Sequence, residues 1–210
     1  MATVKPFKAI RPAKGYEHKV AALPYDVMTS AEAREMVEGD PYSFLHIDKA
    51  EVDLPEGTDL YDPSVYAKAK ENLDRMTADG IFTSDESRGY YIYRLTMDGR
   101  SQAGLVGCAS IDDYLNDRIK KHELTRVEKE ADRIRHVDTL NANTGPIFLT
   151  CRPNDRLSDT LSELMETREP LYDFTCDDGV GHTVWIIGGE AVADIENILA
   201  DIPTLYIADG

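Results

Sequence analysis

The stretch YYIYRLTMDGRSQAGLVGCA, residues 90–109, decides which fold the sequence predicts. Its two apolar runs, YYIYRL (90–95) and AGLVGCA (103–109), flank Met97-Asp98-Gly99-Arg100. Asp-Gly between apolar runs is the strongest short-range signal for a β-hairpin, because these residues accept the positive φ angles of a two-residue turn. The same device recurs around Asp177-Asp178-Gly179, between LYDFTC and HTVWIIG. The sequence therefore predicts two hairpins.

Helices are predicted between and around these hairpins. Thr29 and Glu32 have capping-box spacing, and Asp62-Pro63 supplies an N-cap and N1 pair for a helix that ends at Asp79-Gly80. The other predicted elements are a buried strand SFLHI (43–47), a strand PIFLTC (146–151), helices 155–167 and 190–199, and a strand TLYI (204–207). Because helices interleave with hairpins, the expected fold class is α/β (α+β) with a mixed sheet. The expected domains are an N-terminal α/β region, residues 1–140, and a second α/β region, residues 141–210.

Composition excludes several classes of protein. With 42% hydrophobic residues the 210-residue chain has enough apolar material for a core. Its formal charge of -16 argues against broad binding to nucleic acid, which requires a large basic footprint. Its three cysteines are odd in number and far apart, which argues against a disulfide framework, and no apolar run approaches the length of a membrane span. We therefore expect a cytoplasmic protein with no membrane partner.

One segment departs from this acidic background: KKHELTRVEKEADRIRH, residues 120–136, has a net charge of +2 and leaves -18 for the rest. On a helix, its apolar residues form a stripe that should dock on the sheet, namely Leu124, Val127, Ala131 and Ile134. Its basic and titratable residues form a second stripe, namely His122, Arg126, Lys129, Arg133 and His136. Stacked like charges repel one another, and a small anionic ligand would offset that repulsion.

Other interpretations of this segment stay open. Its acidic residues lie three or four positions from basic ones, so the helix is equally well read as a solvated face with weak ion pairs. The basic stripe could also dock on an acidic surface of its own chain or of a partner subunit in a homo-oligomer. His122-Glu123 resembles an acid/base pair, but HExxH spacing is absent, so we expect no metal. Asn143, before Gly145-Pro146, is a loop residue that suits either ligand contact or an ordinary turn.

Five stretches resemble a prokaryotic family known as domain of unknown function 1015. They are LPYDV (23–27), DPYSFLHI (40–47), the basic segment 120–136, NTGPIFL (143–149) and YIADG (206–210). The resemblance implies that Ala208-Asp209-Gly210 begins a longer Ala-Asp-Gly-His-His-Arg motif, and hence that this chain is the front part of a longer protein. Leu23 departs from the family pattern, which usually has proline there.

The resemblance also implies a distant likeness to ParB and sulfiredoxin proteins, in which Gly210 would open a phosphate-holding turn. A link to serine biosynthesis implies serine or phosphoserine chemistry. The leading hypothesis is a small-molecule enzyme of phosphoryl transfer or phosphate-ester chemistry, with little turnover expected from residues 1–210 alone. The alternative is a ParB-like nucleotide-binding regulatory or interaction module without catalysis. In the enzyme hypothesis a nucleotide is the candidate cofactor and a small anionic molecule the partner.

The enzyme hypothesis gives each candidate residue a role. The catalytic candidates are His122, Glu123 and Asp209. The candidates for binding substrate or phosphate are Arg126, Lys129, Arg133, His136, Asn143 and Gly210.

Overall fold

A computed structural model describes residues 2–209, and the chain forms two compact units. The first unit contains residues 2–10, 84–124 and 147–209, and the second contains residues 11–83 and 125–146. Each unit is therefore assembled from separate pieces of sequence. The predicted regions, 1–140 and 141–210, stay a prediction about domains.

Helices and strands are interleaved along the whole described chain, which confirms the α/β (α+β) class with mixed sheets. The helices are α1 (Glu17–Val20), α2 (Ser30–Met36), α3 (Leu45–Asp48), α4 (Pro63–Ala78), α5 (Ile111–Leu115), α6 (Val127–Leu140), α7 (Asp155–Thr167) and α8 (Glu190–Ala200), with a 3-10 helix at Ala50–Asp53. The strands are β1 (Val4–Lys5), β2 (Ile10–Pro12), β3 (Phe82–Ser84), β4 (Tyr90–Met97), β5 (Arg100–Val106), β6 (Cys108–Ala109), β7 (Ile119–Lys120), β8 (Phe148–Thr150), β9 (Tyr172–Thr175), β10 (Gly181–Ile187) and β11 (Leu205–Asp209).

The first unit is built on a four-stranded antiparallel sheet in the order β5-β4-β10-β9. Both predicted hairpins are confirmed. In the first, Met97 pairs with Arg100, and Asp98 and Gly99 have φ angles of 52° and 75°, as a two-residue turn with positive φ requires. In the second, β9 and β10 pair around the turn that contains Gly179.

The core of the first unit lies between this sheet and two helices. Tyr90 and Ile92 on β4 pair with Ile187 and Trp185 on β10, so all four side chains share one face of the sheet. This face is buried and packs against apolar side chains of α7 and α8, such as Ile195. A second sheet of the same unit has the order β7-β11-β8, with β7 parallel and β8 antiparallel to β11.

The second unit is mainly helical and is organised around α4. Asp62 accepts a hydrogen bond from the backbone of Ser64 at the N-terminus of this helix, as predicted. The buried face of α4 includes the predicted apolar stripe, Val65, Ala69, Leu73 and Met76. The capping box of Thr29 and Glu32 is also confirmed at the start of α2.

The predicted strand SFLHI (43–47) is wrong. Residues 45–48 form α3, a helix of one turn that leads into the 3-10 helix Ala50–Asp53. Hydrophobic periodicity cannot distinguish a short buried helix from a short buried strand, because a short run of apolar residues is consistent with both. Here Leu45 and Ile47 are both buried, although they lie two positions apart.

Among residues 2–209, no helix combines the length and the apolar character needed to cross a membrane.

Candidate functional site

The three catalytic candidates lie in the first unit, beside two strands that run parallel, and β7 ends opposite Tyr206 of β11. β7 and β11 run parallel, with Ile119 opposite Leu205 and Lys120 opposite Tyr206. His122 and Glu123 follow the end of β7, and Asp209 is the last residue of β11. The carboxyl ends of parallel strands form the edge of a sheet where ligands most often bind in α/β proteins. The fold therefore brings His122 beside β11, the strand that ends at Asp209.

The imidazole of His122 is oriented by the backbone of the neighbouring strand. Its Nδ1 lies 3.0 Å from the carbonyl oxygen of Ile207, two residues before Asp209. A carbonyl oxygen can only accept, so Nδ1 carries the hydrogen. In the neutral ring Nε2 then has the lone pair, and the side chain is 54% exposed. This geometry presents a proton acceptor to solvent in a fixed tautomer.

Glu123 places an acidic group beside this imidazole, and Asp209 lies two residues after its carbonyl partner, Ile207. Oε1 of Glu123 lies 3.7 Å from Nε2 of His122, within ion-pair range when the ring is protonated. β11 changes its register with β8 between Ile207 and Asp209, so that Asp209 pairs with Phe148. Such irregularities re-aim side chains and are common beside active sites. The edge can therefore stabilise a proton that His122 has taken up.

The predicted helix over residues 120–136 is confirmed for residues 127–136 and is wrong for residues 120–126. Residues 119 and 120 belong to β7, and the helix begins only at Val127, with Arg126 as its N-cap residue. His122, Glu123 and Arg126 therefore lie outside the helix. The chain also passes from the first unit to the second between Leu124 and Thr125. The five cationic or titratable side chains consequently do not form one ridge.

The predicted docking stripe is wrong as well. Leu124, Val127 and Ile134 are 90%, 80% and 61% exposed. The face of α6 that is buried carries Asp132, His136 and Leu140 instead. Hydrophobic periodicity predicted the wrong face of α6 to be buried. The polar side chains on the buried face have specific partners, which a pattern of apolar residues does not show.

Asp132 is the centre of a hydrogen-bonded group in the second unit. The hydroxyl of Tyr66 donates to Oδ1 of Asp132 at 2.7 Å. Arg133 donates from Nε to Oδ2 at 3.0 Å, and its Cζ lies 4.1 Å from the centre of the Tyr25 ring. Burial and the Asp132 carboxylate raise the pKa of Tyr66 to about 12, so the phenol remains a donor. Arg133 is thus already engaged with a carboxylate and an aromatic ring.

The other predicted anion-binding residues of the second unit have different surroundings. His136 is buried, and its Nε2 lies 3.1 Å from the carbonyl oxygen of Ile47. Arg126, Lys129 and Asn143 are exposed. These positions argue against direct ligand contact by His136 and are compatible with contact by the other three. Gly210 lies outside the described residues, so its predicted role stays a prediction.

Sequence reasoning missed a second hydrogen-bonded group, which contains buried His46 and Asn72 and the more exposed Asp53. Nδ1 of His46 lies 3.0 Å from both carboxylate oxygens of Asp53, and Nε2 lies 3.0 Å from the carbonyl oxygen of Asp40. Nδ2 of Asn72 donates to Oδ2 of Asp53 and to the carbonyl oxygen of His46, both at 2.7 Å. Tyr25, which packs on Arg133, lies in LPYDV, and His46 lies in SFLHI. Both stretches carry the family resemblance, which was the signal in the sequence that pointed to these two groups.

Cys151 and Cys176 are not activated nucleophiles. All three cysteines of the chain are free thiols. Burial raises the pKa of Cys151, and burial together with Asp178 and Asp177 raises that of Cys176. Thiolate, which is the reactive form, is therefore disfavoured at both positions. Among residues 2–209, no group of three or more His, Cys, Asp or Glu side chains is arranged to hold a metal ion.

Comparison with known proteins gives one match. Residues 4–210 match the family model described as "Protein of unknown function (DUF1015)". No curated protein and no solved structure matches the chain. The stretches that carried the resemblance form contacts within both units: His122 meets YIADG in the first, and Arg133 meets LPYDV in the second.

Proposed function

Because the chain belongs to the DUF1015 family, whose description gives no activity, we propose a function from the geometry of the His122 edge. The proposal is a small-molecule enzyme that acts on a phosphorylated or nucleotide substrate by phosphoryl transfer or phosphate-ester chemistry. The observation that supports it most is the contact between Nδ1 of His122 and the carbonyl oxygen of Ile207 at 3.0 Å. It directs the basic Nε2 away from the strand and toward solvent.

The proposed reaction uses His122 as a general base. Nε2 takes the proton of an attacking hydroxyl group, such as that of serine, while the hydroxyl oxygen forms a bond to the terminal phosphorus of a nucleotide. The bond from that phosphorus to the leaving phosphate oxygen breaks, and the nucleotide diphosphate leaves with the electron pair. Glu123 and Asp209 stabilise the imidazolium that forms. General base catalysis of this kind contributes about 10²- to 10⁴-fold to the rate.

The anionic part of the substrate requires cationic or hydrogen-bonding groups. The candidates from the sequence, Arg126, Lys129, Arg133 and Asn143, stay predictions for that role. Arg supplies a planar and permanently charged fork, which suits phosphate oxygens. The pairing of Arg133 with Asp132 favours Arg126 and Lys129 as the stronger contributors. The ParB and sulfiredoxin likeness, with Gly210 in a phosphate turn, belongs to the same proposal.

The test is phosphorus NMR of ATP mixed with serine and the natural protein that carries this sequence. His122→Asn is the informative variant, because its side-chain amide retains a donor near the Nδ1 position but has no basic Nε2. We expect product formation to fall by about a hundredfold or more, with an unchanged melting temperature. His18→Asn is the matched control, since His18 is exposed and has no role in the proposal.

Two results would contradict the enzyme proposal. Full turnover by His122→Asn would remove His122 as the base. Binding of ATP without any product, with serine or with phosphoserine, would favour the alternative, a nucleotide-binding module without catalysis. Where product does form, Arg126→Ala and Lys129→Ala should lower turnover as well as binding, whereas in a module they would lower binding only.

A further inference from the structure

A second histidine, His46, has an arrangement that the proposed reaction does not use. The residue is 8% exposed and belongs to α3 in the second unit. Both of its ring nitrogens face oxygen acceptors at 3.0 Å: Nδ1 faces the Asp53 carboxylate and Nε2 faces the carbonyl of Asp40. A carbonyl oxygen and an ionised carboxylate accept hydrogen bonds but cannot donate them. Both nitrogens must therefore carry hydrogen, which makes the ring an imidazolium.

The partner carboxylate is held in its ionised form. Burial raises the pKa of Asp53, but hydrogen bonds from His46 and Asn72 outweigh it, so the pKa is lowered. The amide of Asn72, on α4, also donates to the backbone carbonyl of His46. Three elements, α3, the 3-10 helix and α4, thus meet at one charged, hydrogen-bonded group.

The same stretch of backbone supports α6. His136 on α6 approaches the carbonyl of Ile47, the residue after His46, at 3.1 Å. Ile47 and Leu140, the last residue of α6, belong to the same buried apolar cluster. The position of α6 within the second unit therefore depends on the ordered state of α3.

We propose that His46 is a protonation-dependent clamp: as an imidazolium it holds α3 and the 3-10 helix on α4, and loss of its proton loosens the platform on which α6 lies. A neutral ring would retain one hydrogen only, and its second nitrogen would direct a lone pair at either Asp53 or the Asp40 carbonyl. Either arrangement replaces a hydrogen bond with a repulsive contact in a buried place.

The charged groups around His46 have opposing effects on its pKa. Asp53 favours the imidazolium through its hydrogen bond and its charge, whereas burial and the Arg75 guanidinium on α4 oppose it. Lys68, also on α4, acts on Asp53 and favours its ionised form. The balance raises the pKa of His46 above its ordinary value. A raised pKa means that the stabilisation is fully present below about pH 6.5, the ordinary value, and is lost as the pH rises through the folded-state pKa.

The direct test is a proton NMR titration of the histidine rings in the unaltered chain. We expect the His46 resonance to titrate above about pH 6.5, the ordinary value for histidine, and hydrogen exchange of the α6 amides to accelerate over the same pH range. Titration of His46 at or below about pH 6.5 would overturn the proposal. So would α6 exchange that shows no change across that range beyond the one seen in α7 of the first unit.

A variant gives a second measurement. His46→Gln cannot donate in both directions with a positive charge, so its urea midpoint should lose the decline above about pH 6.5 that the clamp predicts. His18→Gln makes the same chemical change at an exposed position and should retain the decline. If His46→Gln does not fold, the titration of the unaltered chain still decides the matter. If it folds with the decline intact, the clamp is wrong.

Discussion

The two histidines of the segment 120–136 have opposite environments. The side chain of His122 is 54% exposed, whereas that of His136 is 4% exposed. Each lies beside a backbone carbonyl, but His122 uses Nδ1 and His136 uses Nε2. The first contact leaves the outer nitrogen available at the edge of a sheet. The second inserts the ring into the helical unit, where it serves packing.

The difference shows that one charged segment can serve two purposes. Residues up to Leu124 belong to the first unit and end in a sheet edge, while residues from Thr125 belong to the second unit and form its helix. The spacing of the charged residues predicts one continuous helix for the segment, although its two halves have different partners. Substitutions in each half of the segment test that division.

The largest effect should come from the apolar residues of α6. Leu140→Ala should lower the free energy of unfolding by about 2–5 kcal/mol, because it opens a cavity in the buried cluster around α4. Ile134→Ala, on the same helix, should change it by less than about 0.5 kcal/mol, because Ile134 is exposed. Urea denaturation followed by helix circular dichroism measures both. Similar losses for the two variants would mean that the exposed face of α6 is buried in solution.

Much of the local structure was predictable because its signals are local. The turn at Asp98-Gly99, the capping box at Thr29 and the start of α4 at Asp62-Pro63 depend on residues within four positions of one another. Their geometry is set by backbone preferences that operate in almost any context. The stripe on α4 was also predictable, because its buried positions are apolar.

The site was harder to predict because its partners are distant in sequence. β7 exists only where it pairs with β11, which lies far from it in the sequence. The capping-box spacing of Thr125 and Glu128 is a local signal for a later helix start, one residue from the observed N-cap at Arg126. The buried face of α6 contains Asp132 and His136, whose partners Tyr66 and Ile47 lie far from them in the sequence. A pattern of apolar residues cannot anticipate buried polar side chains that are satisfied by distant groups.

A second, smaller effect should come from Asp132. Asp132→Asn should lower the free energy of unfolding by about 1.5–3 kcal/mol, because the carboxylate accepts charge-assisted bonds and is 7% exposed. Glu128→Gln, the same chemical change on the exposed face of the helix, should be close to neutral. The urea midpoint again measures both. Equal, small effects would mean that the pair of Arg133 and Asp132 contributes little to the free energy of unfolding. Arg133 would then be a stronger candidate for binding an anion.

The smallest effect on stability should come from substitution of His122, which is exposed, in contrast to buried His136. His122→Ala should change the free energy of unfolding by less than about 0.5 kcal/mol, since the side chain is half exposed and its one hydrogen bond lies at a sheet edge. His136→Ala should cost more, because it removes a buried ring and its bond to Ile47. Nitrogen NMR of the unaltered chain should show His122 protonated at Nδ1 in its neutral form. A ring protonated at Nε2 would leave Nδ1 as the acceptor facing the Ile207 carbonyl, and His122 could then no longer serve as the base through its outer nitrogen.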